Sequence, residues 1–367
     1  MSLAITAIGM VSALGLDWEN SCAASRAGVS RTGALDHYRV QGIEPTDVQF
    51  VAGHQVDLLT RGFEGKARLL RLLTGAFKNL RERLDGTVSS LPVFLSLPDP
   101  ERVVADEASG LDPAPPMGPL KETAEVLVRR SAALANWSIQ LRLEGISTGN
   151  TGVADAFKSS MAYNGGGSPQ HALIVAVDSL LDDWTLAWLR SIKRLKTPAI
   201  AAGLMPGEAA VAVLVAGGGR QGESMGTVEA VAFGEDAPWF DTEHPVTGRG
   251  ISAVVTSFAS KVRWPDEGPP WLLSDQNGEF CRANDWGGAM NRLVGRDRAF
   301  SDARIWHPAA SFGDTGSASA AVSIATALAA WNRNYAPSSR CCVVSCSDDG
   351  PRSAVLIKAS GKTDSDG

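Results

Sequence analysis

Apolar residues of this chain occur in two kinds of run, and the two kinds alternate along the sequence. Short, almost continuous apolar runs are typical of strands that are buried in a sheet. They predict strands at 3–11, 91–97, 172–177, 208–216, 226–232, 271–274, 303–307, 341–346 and 354–359. Runs with apolar residues three and four apart predict helices at 17–27, 65–84, 120–137, 153–161, 182–192, 248–262, 280–294 and 315–331. The alternation predicts an α/β fold in which sheets are layered with helices.

The segments between these runs carry loop signals. Residues 31–63 are predicted to be irregular, and 99–119, with five prolines, to be a surface loop. The glycines at 217–219 predict a linker between two α/β halves, 1–218 and 219–360. The polar tail 361–367 is predicted to be disordered. Alanine- and glycine-rich helices favour burial between two sheets, so a duplicated architecture is expected.

Composition limits the partners and the compartment. The chain has 367 residues, a formal net charge of −6 and a pI near 5.5, which argues against a general nucleic-acid surface. It lacks an apolar run of about 18 residues, so no membrane span is expected. Its first nine residues lack the pattern of a signal peptide. Five cysteines without metal-site spacing indicate reduced core residues of a cytoplasmic protein: Cys22, Cys281, Cys341, Cys342 and Cys346.

One stretch stands out from this framework. Residues 147–152, Ser-Thr-Gly-Asn-Thr-Gly, precede the amphipathic run 153–161. Their hydroxyl and amide groups can cap a helix, and their glycines allow a sharp turn and a close approach of other groups. A tight turn before a helix, followed by the buried strand 172–177, is a common place for a ligand or a nucleophile. A well-capped core helix explains the same pattern.

The landmarks, taken in order, resemble the β-ketoacyl synthases of the thiolase-like superfamily over nearly the whole chain. The matching segments are 4–15 (the family's G-x-V-S-x-L-G), 18–30 (G-x-S-G), 206–210 (G-E-G-A), 312–319 (G-H-x-x-G-A-A-G) and 344–350 (N-S-F-G-F-G-G). The resemblance implies a thiolase-like fold, a duplicated five-layer αβαβα arrangement. It also implies that 147–152 is the nucleophile turn.

The departures from the family concern its catalytic groups. The resemblance places Gly149 at the nucleophilic cysteine, Asp275 and Asp314 at the two histidines, and Ala309 at the lysine. A condensing enzyme needs a thiolate and imidazole donors, and aspartate reverses the local charge beside an oxyanion. Cys22 and Cys281 do not match the nucleophile turn, and the family's gating turn is changed to Ser-Asp-Asp-Gly at 347–350.

The remaining polar residues define candidate positions rather than a known site. The vestigial positions are Gly149, Asp275 and Asp314, and the ligand-pocket candidates are Thr148, Asn150, Thr151, Asp275, Glu279, Asp314 and Asp348. Carboxylates at 275, 279 and 314 could bind a divalent cation or share a proton. Turn and cap preferences favour a structural role, so no metal and no cofactor are predicted. His307, at a strand end, is interpreted as a structural donor.

Three functions follow as hypotheses. The first is a non-catalytic ketosynthase-like protein (a pseudoenzyme) that serves as a dimeric subunit or an accessory or adaptor protein, with itself or with an active ketosynthase as partner. The second is an active 3-oxoacyl-carrier-protein synthase type of acyltransferase with relocated chemistry, and the third a carboxylate- and metal-dependent enzyme. Basic residues on helix 65–84 are either a solvated face or a contact for an acidic acyl carrier protein. The apolar strand 170–177 predicts a dimer, because an exposed edge of that kind needs cover.

Overall fold

A computed structural model gives the fold and describes residues 2–44, 46–84, 90–100, 102, 119–163, 171–217, 224–239, 245–264, 266 and 268–360. The strands are β1 Leu3–Ser12, β2 Gly33–Gln41, β3 Val48–Gly53, β4 Ser90–Leu97, β5 Gln140–Thr148, β6 Ala172–Ser179, β7 Glu208–Ala216, β8 Gly226–Glu235, β9 Trp271–Leu273, β10 Arg304–Trp306, β11 Arg340–Cys346 and β12 Pro351–Ala359. The helices are α1 Trp18–Arg26, α2 Asp57–Thr60, α3 Gly65–Arg81, α4 Leu120–Leu134, α5 Gly152–Ala162, α6 Asp183–Ser191, α7 Arg249–Thr256, α8 Phe280–Arg296, α9 Ala309–Phe312 and α10 Ser319–Asn332.

The two halves of the chain repeat one strand order. The main sheet runs β10-β9-β11-β12-β8-β1-β7-β6-β4-β5. Counted within each half, both parts have the order third, second, fourth, fifth, first. In each part the fifth strand is antiparallel to its two neighbours, whereas the second strand pairs in parallel on both sides. The predicted duplication is therefore present in the topology.

Three apolar cores separate the layers. One lies between α3 and α4 and the first half of the sheet. A second lies between α7 and α8 and the second half. The third surrounds α5 and α10, which are packed between the two halves of the sheet. The alanine-rich α10 is buried from Ala320 to Ala330, because small side chains let both sheets approach it. The thiolase-like five-layer α/β fold is confirmed.

Strand β1 holds the two halves together. It pairs antiparallel with β7 from Ala4 opposite Ala216 to Ser12 opposite Ala209. At its start it also pairs antiparallel with β8, where Leu3 lies opposite Val228. Both faces of β1 are apolar, and they contribute to two different cores. The proposed boundary at 218/219 lies outside the described residues and stays a prediction, as do most of the loop 99–119 and the disordered tail.

Several local predictions are wrong. The segment 31–63 is not irregular, because β2 and β3 form a hairpin that carries few buried residues. Strand β5 was not predicted. Helix α7 ends at Thr256 instead of 262, and turns follow it. The predicted solvated face of α3 is wrong at Arg68, which is buried against Glu208 at 2.9 Å, whereas Lys78, Arg81 and Arg83 are exposed.

The predicted reason for a dimer is also wrong. The all-buried strand β6 is not an edge, because β4 and β7 pair with it on its two sides. The edge on this side of the sheet is β5, which pairs with β4 alone among the described strands. Its side chains alternate between exposed and half-buried along its first five residues. Any pairing of sheets between subunits on this side would involve β5.

Helix α5 begins in very close contact with the sheet. A β-carbon added at Gly152 would lie 2.3 Å from Ser96 Oγ and 3.4 Å from Ser96 Cβ. The predicted packing of this turn and helix against β6 is present, together with contacts to β4. We expect Gly152→Val to lower the free energy of unfolding by about 1–3 kcal/mol, because overpacked cores cost that much.

Denaturant unfolding of two further variants separates overpacking from helix propensity. Gly152→Ala should also destabilise the protein, although alanine favours helices. Ser96→Ala in the same chain should restore stability, because it removes the atom at 2.3 Å and leaves contacts of ordinary length. Equal stability of Gly152→Ala with and without Ser96→Ala would contradict this reading.

Candidate functional site

The turn before α5 reaches its sharpest point at Gly149. This residue has a φ of 70°, in the left-handed region, and its N–H donates to the carbonyl of Leu97 at 3.1 Å. A β-carbon there would meet Ser347 Oγ at 3.6 Å and Asp99 Cβ at 4.0 Å, which are ordinary contacts. A side chain at position 149 would therefore find space, but the positive φ would strain its backbone.

The expected side-chain capping of α5 is not observed. Thr151 is the N-cap residue and makes no capping bond. The hydroxyl of Ser147 donates instead to the carbonyl of Gly152 at 2.7 Å. The amide of Asn150 donates across to the carbonyl of Cys346 at 3.1 Å. The turn is therefore tied to the end of β11, in the other half of the chain.

The last residue of β11 is hydrogen-bonded to Asp275. The backbone N–H of Cys346 donates to Asp275 Oδ2 at 2.7 Å. The same carboxylate accepts from Arg282 Nη1 at 2.7 Å and from the indole N–H of Trp286 at 3.0 Å. Three donors therefore satisfy Asp275, which is 9% exposed. Its carboxylate acts as a fixed acceptor that joins β11 to α8.

A second group of charges surrounds Arg194. Its Nε and Nη2 donate to the two oxygens of Glu279 at 2.6 and 2.8 Å. The same guanidinium also donates to both oxygens of Asp348. These arginine contacts, against the opposing effect of burial, hold the pKa values of Glu279 and Asp348 below their usual ranges. Both carboxylates are therefore ionised acceptors at neutral pH.

Arg282 connects the two groups. Its Nη2 lies 3.4 Å from Asp348 Oδ1, and its Nε lies 3.7 Å from Glu279 Oε2. Its guanidinium also lies over the ring of Trp239, 4.1 Å from the ring centre, a cation–π geometry. The side chain is 2% exposed. Arg194 and Arg282 thus pair with three carboxylates in one connected network.

Asp314 is linked to the same network through Asn277. The amide of Asn277 donates to Asp314 Oδ2 at 2.6 Å and to Glu279 Oε2 at 2.8 Å. The other Asp314 oxygen accepts from the backbone N–H of Gly316 at 2.9 Å. The cavity beside Asp275 and Asp314 has a volume of about 10 Å³. That is room for a single water molecule, not for an acyl chain.

The carboxylates of this site all have hydrogen-bond donors or cations as partners. Asp314 caps the turn that follows it, and Asp275 and Glu279 bind arginines. Among the residues that the structure describes, no group of three or more His, Cys, Asp or Glu could hold a metal ion. The oxygens that a cation would need already accept from guanidinium and amide donors.

The structure connects five of the predicted pocket residues: Asn150, Asp275, Glu279, Asp314 and Asp348. Neither Thr148 nor Thr151 donates or accepts a side-chain bond within this network. Sequence reasoning missed its cations, Arg194 and Arg282. Arg282 carried a signal, because it lies in the first turn of α8, three residues after the N-cap residue Glu279. Arg194 lies in a loop far from its partners in sequence.

The cysteines offer no activated thiolate, and His307 has a hydroxyl partner. Burial raises the pKa of all five cysteine thiols, and for Cys22 and Cys342 to about 12. A thiolate is therefore disfavoured at each of them. His307 is exposed, and its Nδ1 lies 2.6 Å from the hydroxyl of Ser274, in agreement with a structural role.

Neither a family model nor a curated relative matches the chain. Solved structures do match it. The ketosynthase from module 6 of the bacillaene synthase of Bacillus subtilis 168 superposes with a TM-score of 0.65 at 11% identity, over 98% of this chain and 72% of that one. The fold is that of the ketosynthases.

Two further matches are multi-subunit ketosynthases. The type II polyketide synthase complex AntDE:AntF, an acyl carrier protein with its ketosynthase, superposes with a TM-score of 0.68 at 12% identity, over 98% of this chain and 99% of that one. The ketosynthase ApeO with its chain length factor ApeC, from Xenorhabdus doucetiae, gives 0.65 at 14% identity, over 98% of each chain. In the described part of this ketosynthase-fold chain, no helix is long and apolar enough to cross a membrane.

Proposed function

We propose that this chain is a non-catalytic ketosynthase-fold subunit that acts through contact with a second subunit. The observation that carries the proposal is the ion-pair network at the vestigial site. Where the resemblance expects a thiolate and two imidazoles, the chain has a glycine turn and carboxylates bound to Arg194 and Arg282. The adjoining cavity is too small for an acyl group.

The alternatives have less support. Relocated acyl transfer needs a nucleophile of lowered pKa, whereas burial raises the pKa of every cysteine thiol in the chain. Metal-dependent chemistry needs free oxygen ligands, and the described carboxylates of this site are bound to arginine, amide and backbone donors.

A thioester assay tests the absence of catalysis. We expect the wild-type protein to gain no mass from a reactive acyl-thioester and to decarboxylate malonyl-thioester at the blank rate. Gly149→Cys should be alkylated by iodoacetamide, because its β-carbon has space, at a cost of about 1 kcal/mol for the positive φ. It should still not decarboxylate malonyl-thioester. Decarboxylation by the wild type that Asp275→Asn abolishes would overturn the proposal.

The subunit contact is expected at the edge strand β5. This nine-residue strand has a strand partner on one side only among the described residues, and such an edge favours pairing with another strand. Beside it a groove of about 710 Å³ runs between β5 and α4, with Val126 37% exposed within it. The partner is a second copy of this chain or an active ketosynthase, and a buried area of roughly 1,200–2,000 Å² is expected.

Sedimentation at micromolar concentration tests this contact. If the chain pairs with itself, we expect the protein alone to sediment as a dimer. If its partner is an active ketosynthase, we expect a dimer only when that ketosynthase is co-expressed. Val126→Glu should weaken either dimer by tenfold or more, since it replaces an apolar contact by a charge that the dimer would bury. Leu58→Glu, at a leucine 81% exposed on α2, is the matched control. Monomers under both conditions would rule out the subunit proposal.

A further inference from the structure

The edge strand β5 carries two opposite charges that are separated by one residue. Arg142 and Glu144 project from the same face of the strand, because Arg142 Nε lies 3.9 Å from Glu144 Oε1. Their side chains are 49% and 28% exposed. At 3.9 Å the two groups attract each other but are not hydrogen-bonded. Each therefore keeps hydrogen-bonding capacity for a further partner of opposite charge.

The carboxylate of Glu144 is held in place from helix α5. The phenol of Tyr163, the C-cap residue of α5, hydrogen-bonds to it. The Tyr163 ring in turn packs edge-on against Phe94, with the ring centres 5.7 Å apart. Leu141 and Leu143 alternate with the charged residues and pack against the core of α3 and α4. The edge strand thus has one charged and one apolar face.

A second copy of β5 can pair with this strand in only a few registers. An antiparallel pair of identical strands about a two-fold axis places residue i of each opposite residue j of the other, and j opposite i. Residues that lie opposite each other point to the same face of the sheet. The two apolar faces therefore stay together only if the axis passes through a residue and not between two residues.

Charge selects one of these registers. An axis through Arg142 or Glu144 would place like charges directly opposite each other, which is destabilising. An axis through Leu141 would leave Glu144 opposite residue 138, before β5 begins. An axis through Leu143 places Arg142 of each copy opposite Glu144 of the other, twice by symmetry. Because β5 shifts its register against β4 between Leu143 and Gly145, the paired stretch is expected to be short.

We propose that the partner of this chain is a second copy of itself, paired antiparallel through β5 about Leu143, with Arg142 of each copy bound to Glu144 of the other. The inference rests on the proposed subunit function and names its partner. One self-complementary charge pair satisfies a symmetric contact, whereas an active ketosynthase would need a matching pair at its own edge. Opposite charges across an interface fix the register and exclude wrong partners.

Charge reversal tests this pairing by sedimentation at micromolar concentration. We expect the wild type to be a dimer without any ketosynthase. Arg142→Glu and Glu144→Arg should each weaken that dimer tenfold or more, because each places like charges opposite one another. Mixing the two variants should restore a dimer, since one chain then has carboxylates at both positions and the other has guanidiniums at both. Arg249→Glu, the same reversal at an exposed residue of α7, is the control and should change nothing.

Native mass spectrometry identifies the restored dimer, because the two variants differ in mass. Both residues are exposed, so both variants should fold. If either does not, Arg142→Gln and Glu144→Gln should each weaken the dimer about threefold.

The outcomes separate this inference from the proposed function. A wild-type dimer that no folded variant at 142 or 144 weakens, or a mixture of the reversed chains that stays monomeric, would overturn the inference and leave the subunit proposal standing. A wild type that is monomeric alone but dimeric with a co-expressed ketosynthase would do the same. Monomers under both conditions would overturn both proposals.

Discussion

Arg282→Met is expected to lower the free energy of unfolding by about 3–5 kcal/mol, the usual cost of removing one partner from a buried ion pair. Arg282 donates to Asp275 at 2.7 Å and lies close to Asp348 and Glu279. Without it, Asp275 loses its only cation among the described residues. Methionine has a similar length and stays apolar, so the loss reflects charge more than volume.

Denaturant unfolding at two pH values tests the cause. At pH 7 the deficit of Arg282→Met should be largest, and near pH 4 it should shrink, because a stranded carboxylate can take up a proton there. Arg292→Met, on the exposed side of the same helix, should change stability by less than about 0.5 kcal/mol. A deficit that stays constant with pH would show that packing on Trp239, and not charge, accounts for the effect.

His54 is expected to make the protein acid-sensitive between about pH 6.5 and pH 4. Its ring is 2% exposed and packs on Gly313, and its Nδ1 has no hydrogen-bond partner among the described residues. Burial lowers the pKa of His54 to about 4, against about 6.5 in the unfolded chain. The folded state therefore binds fewer protons than the unfolded state across this interval, so stability falls as the pH falls.

The expected loss is about 3 kcal/mol between pH 7 and pH 4, at 1.36 kcal/mol for each unit of pKa difference. His54→Asn should remove this slope, whatever its effect on stability at pH 7. His37→Asn removes an exposed histidine and serves as the control. The carboxylates Glu279 and Asp348 affect stability at lower pH. Their pKa values are lowered in the folded state, so the stability that they contribute is lost only below about pH 4. An unchanged slope in His54→Asn would contradict the assignment.

The fold could be predicted because its strands carry the signal themselves. Strands such as β6 and β7 are buried throughout, and a continuous apolar run allows few other interpretations. Strand β5 was missed although Gln140-Leu-Arg-Leu-Glu alternates with period two, the pattern of a half-exposed edge. The hairpin β2–β3 has few buried residues, so its pattern gave no comparable signal.

The site could be predicted only in part, for a physical reason. The resemblance predicted which loops carry the acidic residues of the site, and these side chains do belong to one network. They are Asp275, Glu279, Asp314 and Asp348. Whether a carboxylate is a ligand or a paired structural group depends on its cation. Arg194 is 85 residues from Glu279 and reaches it only through the tertiary fold. No local pattern could place that guanidinium there.

The position of β1 has a consequence for synthesis of the chain. This strand is synthesised before its partners β7 and β8, which follow roughly 200 residues later. At roughly 5–20 residues per second, the apolar N-terminal strand waits on the order of 10–40 s before its sheet can close. The first half alone lacks β8, so residues Leu3–Ile5 then have no strand on that side. The nascent chain must keep Ile5, Ile8 and Met10 covered during that wait, either by early collapse onto α1 or by a chaperone.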